Sequence, residues 1–209
     1  MFKFEKLIFG DLGWGDEFLF ATLMTITVSI LSMGLGLCLA IVTVWAKLIT
    51  NKITRLIANF YTTVVRGVPE LLVIYLIFFG GNTVVMSIAK LFGYNGYIEL
   101  NALTIGTIAI AFISATYSSE VLRAAYLAVN KGQIEAAKAL GLNKFQIFFK
   151  VMGPQILRHA LPGIGNVWQI TLKDTSLISV TGLVEIMRQS YIAAGSTRDP
   201  LFFYSFAAV

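Results

Sequence analysis

The sequence has little charge and almost no cysteine. Asp, Glu, Lys and Arg make up 13% of its 209 residues and hydrophobic residues 57%, whereas a soluble globular chain carries charge on about a quarter of its residues. This composition argues against a soluble protein, and the mean hydropathy of +0.79 indicates a lipid environment. The single cysteine, Cys38, excludes a disulfide-stapled fold. Because Cys38 lies in an apolar run, we expect it to be a small packing residue.

Uncharged stretches indicate where the chain crosses the bilayer. Segments 18–46, 71–89 and 100–119 contain no Asp, Glu, Lys, Arg or His, and about 20 such residues span the hydrocarbon core as a helix. A fourth apolar segment, 160–184, is interrupted by a Lys-Asp pair, and a fifth begins at Leu201. We therefore predict an all-α integral membrane protein with about five transmembrane helices in one domain, 1–209, with the last helix cut short at 209. No cleavable signal peptide is expected, because the N-terminal stretch lacks a basic region leading into a short apolar one.

Lys and Arg are concentrated in two connecting segments. Segment 46–61 contains Lys and Arg but no acid, and segment 120–159 contains more Lys and Arg than Glu. Because cytoplasmic loops retain positive charge, both segments are predicted to be cytoplasmic. The predicted protein is thus a multi-pass membrane protein with its N-terminus outside. The net charge of +5 follows from this asymmetry and does not indicate nucleic-acid binding.

The cytoplasmic segment 130–154 is too polar for lipid and too regular for an irregular loop. We predict two short helices: one over 133–140, ended by a left-handed Gly141, and one capped by Asn143 and limited by Pro154. Small residues in the first helix would let another surface approach closely. The segment either docks into a partner or packs on its own membrane domain, and its spacing alone favours neither.

The residues of this segment carry a family resemblance. Glu135-Ala136-Ala137 followed by Gly141 resembles the EAA loop of the permease subunits of ABC importers, and Pro154 continues that pattern, although Gly153 stands where the family has Leu. Further motifs occur in the family's order: Arg66-Gly67-Val68-Pro69, Tyr117-Ser118-Ser119-Glu120, Lys131-Gly132-Gln133, Leu161-Pro162-Gly163 and Lys173-Asp174-Thr175-Ser176. From about residue 18 to the end, the chain resembles the polar amino-acid branch, and more narrowly the histidine, lysine-arginine-ornithine and opine importers.

This resemblance implies a location in the bacterial inner membrane and a set of partners. Such a permease pairs with a second permease, a paralogue by the narrower resemblance although a copy is possible. The pair works with two cytoplasmic ATPase subunits and with a soluble binding protein outside, and it carries polar, basic amino acids. The residues implied to contact the ATPase are Lys131, Gly132, Glu135, Ala136, Ala137 and Gly141. No enzymatic activity, cofactor or metal is expected in this chain, which has no G-x-x-x-x-G-K-[ST] phosphate loop. The glycines Gly34 and Gly36 more simply permit close helix packing.

Charges near the predicted spans suggest a substrate path, because ionisable groups in hydrocarbon are costly and usually face a cavity or a partner. Arg66 and Glu70 stand four residues apart, so on one helix they would share a face and pair with each other. Alternatively, Glu70 faces the path and complements a cationic substrate, as its match to an acidic position in the basic-amino-acid relatives implies. Tyr117 and Glu120 are assigned to the same path, where Glu120 forms either an inner gate or a structural ion pair with Arg123.

The interruption of the fourth span also has two interpretations. Lys173 and Asp174 are adjacent, so on a helix they point about 100° apart and cannot face the same partner. Nearby hydroxyls, including those of Thr175 and Ser176, favour a local unwinding that could bind polar groups of a substrate. The other interpretation is a polar stripe between two permeases, which suits Lys173 better than Asp174.

Two other classes of function stay open from composition and topology alone. An intramembrane enzyme would need Glu120, His159 and Asp174 to converge for proton transfer. A passive channel would need a charged ring or a filter loop, neither of which the sequence contains. His159 is the only histidine and has no Cys or carboxylate at metal-ligand spacing, so we expect an ordinary residue at the membrane interface.

Overall fold

The computed structural model describes residues 4–10, 13–94, 96 and 101–208. Over these residues the chain is helical and contains no strand, which confirms the all-α prediction. The α-helices are α1 (Gly15–Leu48), α2 (Lys52–Gly67), α3 (Glu70–Leu91), α4 (Ala102–Ala128), α5 (Lys131–Ala139), α6 (Lys144–Ile147), α7 (Gly153–Asp174), α8 (Ile186–Thr197) and α9 (Pro200–Ala207). A π-helical turn, Phe148–Met152, joins α6 to α7, and a 3-10 segment, Thr175–Thr181, follows α7.

Three of the described helices, α1, α3 and α4, are long and apolar enough to cross a membrane. They coincide with the predicted spans 18–46, 71–89 and 100–119. Leu100, the first residue of the third predicted span, and Val209, the last residue of the fifth, lie outside the described residues. The fourth predicted span is divided between α7 and the 3-10 segment, with the change of geometry directly after Asp174. The regular α-helix is therefore interrupted where the sequence predicted, although by a tighter 3-10 segment and not by unwinding, whereas the total of five spans stays a prediction.

The chain divides into two compact units. The first unit comprises 1–32, 70–110 and 171–209, and the second comprises 33–69 and 111–170. In the first unit, Phe18 stacks on Phe203 with ring centroids 5.7 Å apart, within a buried cluster that includes Ala193 and Phe202. In the second unit, the buried residues Val129, Ala137, Ile147 and Met152 pack together. This last cluster joins the end of α4 to the segment 130–154.

Gly36 permits a close approach between α1 and α4 within the second unit. A Cβ atom at Gly36 would lie 2.1 Å from Ser114 Oγ and 3.1 Å from the carbonyl oxygen of Ala111, whereas one at Gly34 would meet nothing within 4 Å. The close-packing interpretation is therefore confirmed for Gly36 only.

We expect Gly36→Leu to lower the free energy of unfolding by about 2 kcal/mol, because the added side chain must separate the two helices. Gly34→Leu is the matched control, and it should leave stability within about 0.5 kcal/mol of the native value, since its site is open. Denaturant unfolding of the detergent-solubilised protein measures both. Equal effects of the two variants would contradict the close approach.

The packing role expected for Cys38 is wrong, because its side chain is exposed. Leu35, Leu39 and Val42 are exposed as well, and with Cys38 they follow the three- and four-residue spacing of one helix face. Cys38 thus lies on the outward face of α1, which the apolar sequence alone does not distinguish from the inward one.

The limit expected at Pro154 is also wrong. Helical structure continues from α6 through the π-helical turn into α7, so that Pro154 is the second residue of α7. Proline in a regular helix clashes with the carbonyl four residues earlier, and it is tolerated in a first turn. The wider π-helical turn just before it relieves this conflict. The second helix of the segment is therefore continuous with the fourth predicted span.

Candidate functional site

A polar cluster around the buried Lys47 joins α1, α2 and α4 in the second unit. The side chain of Lys47 is only 2% exposed; its ammonium group donates a hydrogen bond of 2.7 Å to Thr62 Oγ1 and another to the Glu120 carboxylate. The guanidinium of Arg123 lies 3.6 Å from the second oxygen of Glu120. The structural ion pair between Glu120 and Arg123 is therefore present, with Lys47 as the buried partner.

Sequence reasoning missed Lys47, because it counted this residue only as a loop charge that sets the topology. The sequence contained a signal, since Thr43 and Lys47 are four residues apart near the end of a long apolar run. In the structure both residues are buried. Polar residues at that spacing share one helix face, and a buried cation needs an acidic partner. The choice of Glu120 as that partner follows from the tertiary fold.

An open polar pocket lies beside this cluster. Arg66 sits over the ring of Tyr117, with its guanidinium carbon 5.4 Å from the ring centroid. The pocket is lined by Thr62, Thr63, Arg66, Gly67, Tyr117 and Glu120. The structure thus brings together three of the residues that the sequence assigned to a substrate path.

The argument that Arg66 and Glu70 share a helix face is wrong. Helix α2 ends at Gly67, Val68 is extended with φ −105° and ψ 142°, and α3 begins at Glu70. Pro69 accounts for the break, because a proline disfavours helical geometry in the residue before it. The four-residue spacing therefore does not place these two side chains on one helix face.

In the first unit, Glu70 meets a different polar residue. Its carboxyl group is hydrogen-bonded to that of Asp174, which is 7% exposed at the end of α7. Lys173 is exposed, so the two adjacent charges of the interrupted span do point apart, as expected from helix geometry. Two carboxyl groups placed together form a site that suits a cation, since a cation relieves their mutual repulsion.

The hydroxyl groups after Asp174 hold the change of helix geometry in place. The Thr175 hydroxyl donates to the carbonyl of Leu172, and the Ser176 hydroxyl donates to the carbonyl of Lys173, both at 2.7 Å. These bonds satisfy carbonyl groups that the α-helix no longer uses. Thr175 is buried and Ser176 is half-buried. Their contact with a substrate stays a prediction.

Helix α5 is capped at both ends, and of these two caps the one at Gly141 was predicted. Asn130 caps α5 by accepting from the amide of Gly132 at 2.8 Å. At its other end, Gly141 has φ +78°, and the amides of Gly141 and Leu142 donate to the carbonyls of Lys138 and Ala137 at 2.9 and 3.1 Å. This pair of bonds is a Schellman motif, which requires the left-handed conformation that glycine adopts without strain.

The second predicted cap is Asn143. Its side chain accepts from the amide of Gln146, whose side chain accepts in turn from the amide of Asn143, at 2.8 and 3.0 Å. This reciprocal capping box fixes the start of α6. Both turns of the segment are therefore confirmed.

One face of the segment packs on the protein's own chain, and the other is exposed. Ala137 is buried and packs with Ile147 and Met152 on residues of α4, so that this face packs on the protein's own chain. Lys131, Gly132, Glu135, Ala136 and Gly141 are exposed. Of the residues implied to contact an ATPase, Ala137 alone offers no free surface, and the other five do.

Sequence reasoning also missed Glu185, which is 1% exposed. Its carboxylate caps α8 by accepting from the amides of Met187 and Arg188 at 2.9 and 2.7 Å. Burial raises the pKa of the Glu185 carboxyl, and the two amide hydrogen bonds oppose this shift. The signal for the cap was an acidic residue directly before a run of helix formers.

Among the described residues, no group of three or more His, Cys, Asp or Glu side chains could hold a metal ion. His159 is exposed on α7, consistent with an ordinary interfacial residue.

Comparison with known proteins identifies the chain's family. Residues 32–209 match the family described as binding-protein-dependent transport system inner membrane component. The nopaline transport system permease protein NocQ of Agrobacterium fabrum is 52% identical, over 97% of this chain and 86% of that protein. The histidine/lysine/arginine/ornithine transport system permease protein HisQ of Escherichia coli is 37% identical, over 91% and 83%. A crystal structure of an amino acid ABC transporter with histidines matches with a TM-score of 0.78 and 29% identity, over 93% of this chain and 86% of that one. This chain belongs to the family of binding-protein-dependent transport system inner membrane components, and it is a membrane permease.

Proposed function

We propose that this chain is one of two permease subunits of an ATP-driven importer of cationic amino acids or opines. Two cytoplasmic ATPase subunits drive the importer, and a soluble binding protein delivers the substrate outside. The family match supports this architecture. The relatives named for nopaline transport and for histidine, lysine, arginine and ornithine transport support the substrate class.

The observation that carries the cationic substrate is the carboxyl pair of Glu70 and Asp174. Lysine, arginine and ornithine present a positive side chain, and a charge-assisted bond to a carboxylate is among the strong polar contacts. Asp174 also lies where α7 gives way to the 3-10 segment. Interrupted helices are typical of substrate sites in transporters.

The permease partner is a paralogue or a second copy, of which the narrower family resemblance favours the paralogue. Helix α3 supports a large interface, since only 11% of its apolar stretch is buried within this chain. Its exposed residues include Leu72, Leu76 and Phe79.

The exposed face of α5 supports contact with the ATPase. Lys131, Glu135 and Lys138 offer charged groups beside the small side chain of Ala136, and all four are exposed. The small side chain of Ala136 lets a partner surface approach the helix closely between these charges. With the positive loops inside, this face is cytoplasmic and the N-terminus is outside.

Gly141→Val tests this coupling. Valine at φ +78° is strained by about 1–2 kcal/mol or more, so we expect the turn after α5 to rearrange and association with the ATPase subunit to fall. Co-purification of the permease with the co-expressed ATPase subunit in mild detergent measures the effect.

Gly93→Val is the matched control, because Gly93 has a similar φ of +83° in the predicted outer connection between α3 and α4. This variant should co-purify with the ATPase as the native chain does. Loss of the ATPase from both variants, or from neither, would contradict the role of the segment 130–154.

A further inference from the structure

An exposed aromatic cluster lies on the segment between α5 and α7. Phe145, Phe148 and Phe149 are 71%, 46% and 57% exposed. The rings of Phe145 and Phe149 have centroids 4.3 Å apart, and those of Phe148 and Phe149 are 5.2 Å apart. Such a compact apolar surface is unusual in contact with water and marks an interaction site.

The charge around this aromatic cluster has one sign. Lys144 and Lys150 flank the three phenylalanines and are exposed. No acidic residue occurs in 136–173, whereas Lys138 and Arg158 add further exposed cations. Phenylalanine beside lysine without acids is typical of helices that lie at a lipid surface, where the cations meet anionic headgroups.

The aromatic cluster is also continuous with a membrane-spanning surface. Phe148 lines an apolar groove together with Ile41, Trp45 and Leu48 of α1, which are themselves exposed. Helix α1 is long and apolar enough to cross the bilayer, so these residues adjoin hydrocarbon. The apolar surface thus extends from the span onto the segment without interruption.

The outward face of α5 has the opposite character. It carries Lys131, Gln133, Glu135 and Lys138 among small residues, and it has no aromatic side chain. The segment 130–154 therefore presents two chemically different surfaces: a polar one on α5, and an aromatic and cationic one on α6 and the π-helical turn.

We propose that the aromatic cluster binds anionic phospholipid of the cytoplasmic leaflet, with the phenylalanine rings among the acyl chains and Lys144 and Lys150 at the headgroup phosphates. The polar face of α5 is left for the ATPase. This anchorage fixes the second half of the segment to the membrane, so that a movement of α5 is passed to α7 through the π-helical turn. The inference goes beyond the proposed function and rests on it only for the choice of leaflet.

Spin labelling in nanodiscs tests this lipid contact. In a Cys38→Ser background, a nitroxide is attached at Phe149→Cys and, as the matched control, at Glu135→Cys, in the complex with and without its ATPase subunits. We expect the label at 149 to collide more often with oxygen than with a water-soluble nickel chelate, and the label at 135 to show the reverse. Addition of the ATPase should immobilise the label at 135 alone.

Two results would overturn the proposal. Frequent collision of the label at 149 with the nickel chelate would mean that the cluster faces water. Immobilisation of this label by the ATPase would mean that the cluster is a protein interface. Because both leaflets of a nanodisc have the same composition, the collision result does not depend on the orientation or transport activity of the permease.

Native mass spectrometry tests the headgroup contact. We expect the complex to retain phosphatidylglycerol in preference to phosphatidylcholine. In the Lys144→Gln/Lys150→Gln variant, the ratio of bound phosphatidylglycerol to bound phosphatidylcholine should be about tenfold lower. Lys52→Gln/Arg55→Gln, at the start of α2, is the matched control for removal of two exposed cations. An unchanged preference in the Lys144→Gln/Lys150→Gln variant, or an equal loss in the control, would contradict binding at this cluster.

Discussion

Exchange of Lys47 for alanine is expected to lower the free energy of unfolding by about 2 kcal/mol, because it removes the charge-assisted hydrogen bond of a buried cation to the half-buried Glu120 carboxylate. The Lys47 side chain is almost fully buried, and its ammonium group donates hydrogen bonds to both Thr62 and Glu120. Arg123 remains near Glu120 and is itself partly exposed, so it offsets part of the loss. Equilibrium unfolding in mixed detergent micelles measures the change.

Lys52→Ala is the matched control, because Lys52 is an exposed cation only a few residues further along the chain. Its effect should stay within about 0.5 kcal/mol, as is usual for surface substitutions. The double variant Lys47→Met/Glu120→Gln should be more stable than Lys47→Ala, since it removes both charges together. A loss below about 0.5 kcal/mol for Lys47→Ala would contradict the buried pair.

The elements that could be predicted from the sequence are those fixed by local chemistry. The spans α1, α3 and α4 follow from uncharged runs long enough for a bilayer. The turn at Gly141 and the cap at Asn143 follow from residues that satisfy the free backbone groups of their own helix ends. None of these features needs a distant partner, which is why a single sequence contains the required information.

The features that could not be predicted depend on which side chains meet in space. Glu70 pairs with Asp174, far away in the sequence, and the expectation that Arg66 and Glu70 share one helix face is wrong because α2 ends before Pro69. Cys38 is exposed because an apolar helix in a membrane has no polar face to mark its outside. Pro154 is accommodated by a π-helical turn, for which the sequence offers no distinct signal.

Replacement of Glu70 by glutamine is expected to reduce ATP-driven arginine uptake by about tenfold or more, because loss of a charge-assisted hydrogen bond costs about 1.5–3 kcal/mol. Asp174→Asn should have an effect of similar size, since the two carboxyl groups form one site. Uptake into proteoliposomes that contain the whole complex, at saturating arginine-loaded binding protein, measures transport. Under these conditions capture of arginine by the binding protein does not limit the rate.

A comparison of substrates separates a substrate contact from a structural role. Citrulline has nearly the shape of arginine but no charge, so Glu70→Gln should lower arginine uptake more than citrulline uptake when both are offered at concentrations that bypass the binding protein. A merely structural carboxyl pair would lower both equally. Glu17→Gln, at an exposed acid in the first turn of α1, is the control and should change neither rate. Unchanged arginine uptake in both Glu70→Gln and Asp174→Asn would show that the carboxyl pair does not contact the substrate. The family assignment would stand, because the family match extends over residues 32–209 and does not depend on these two side chains.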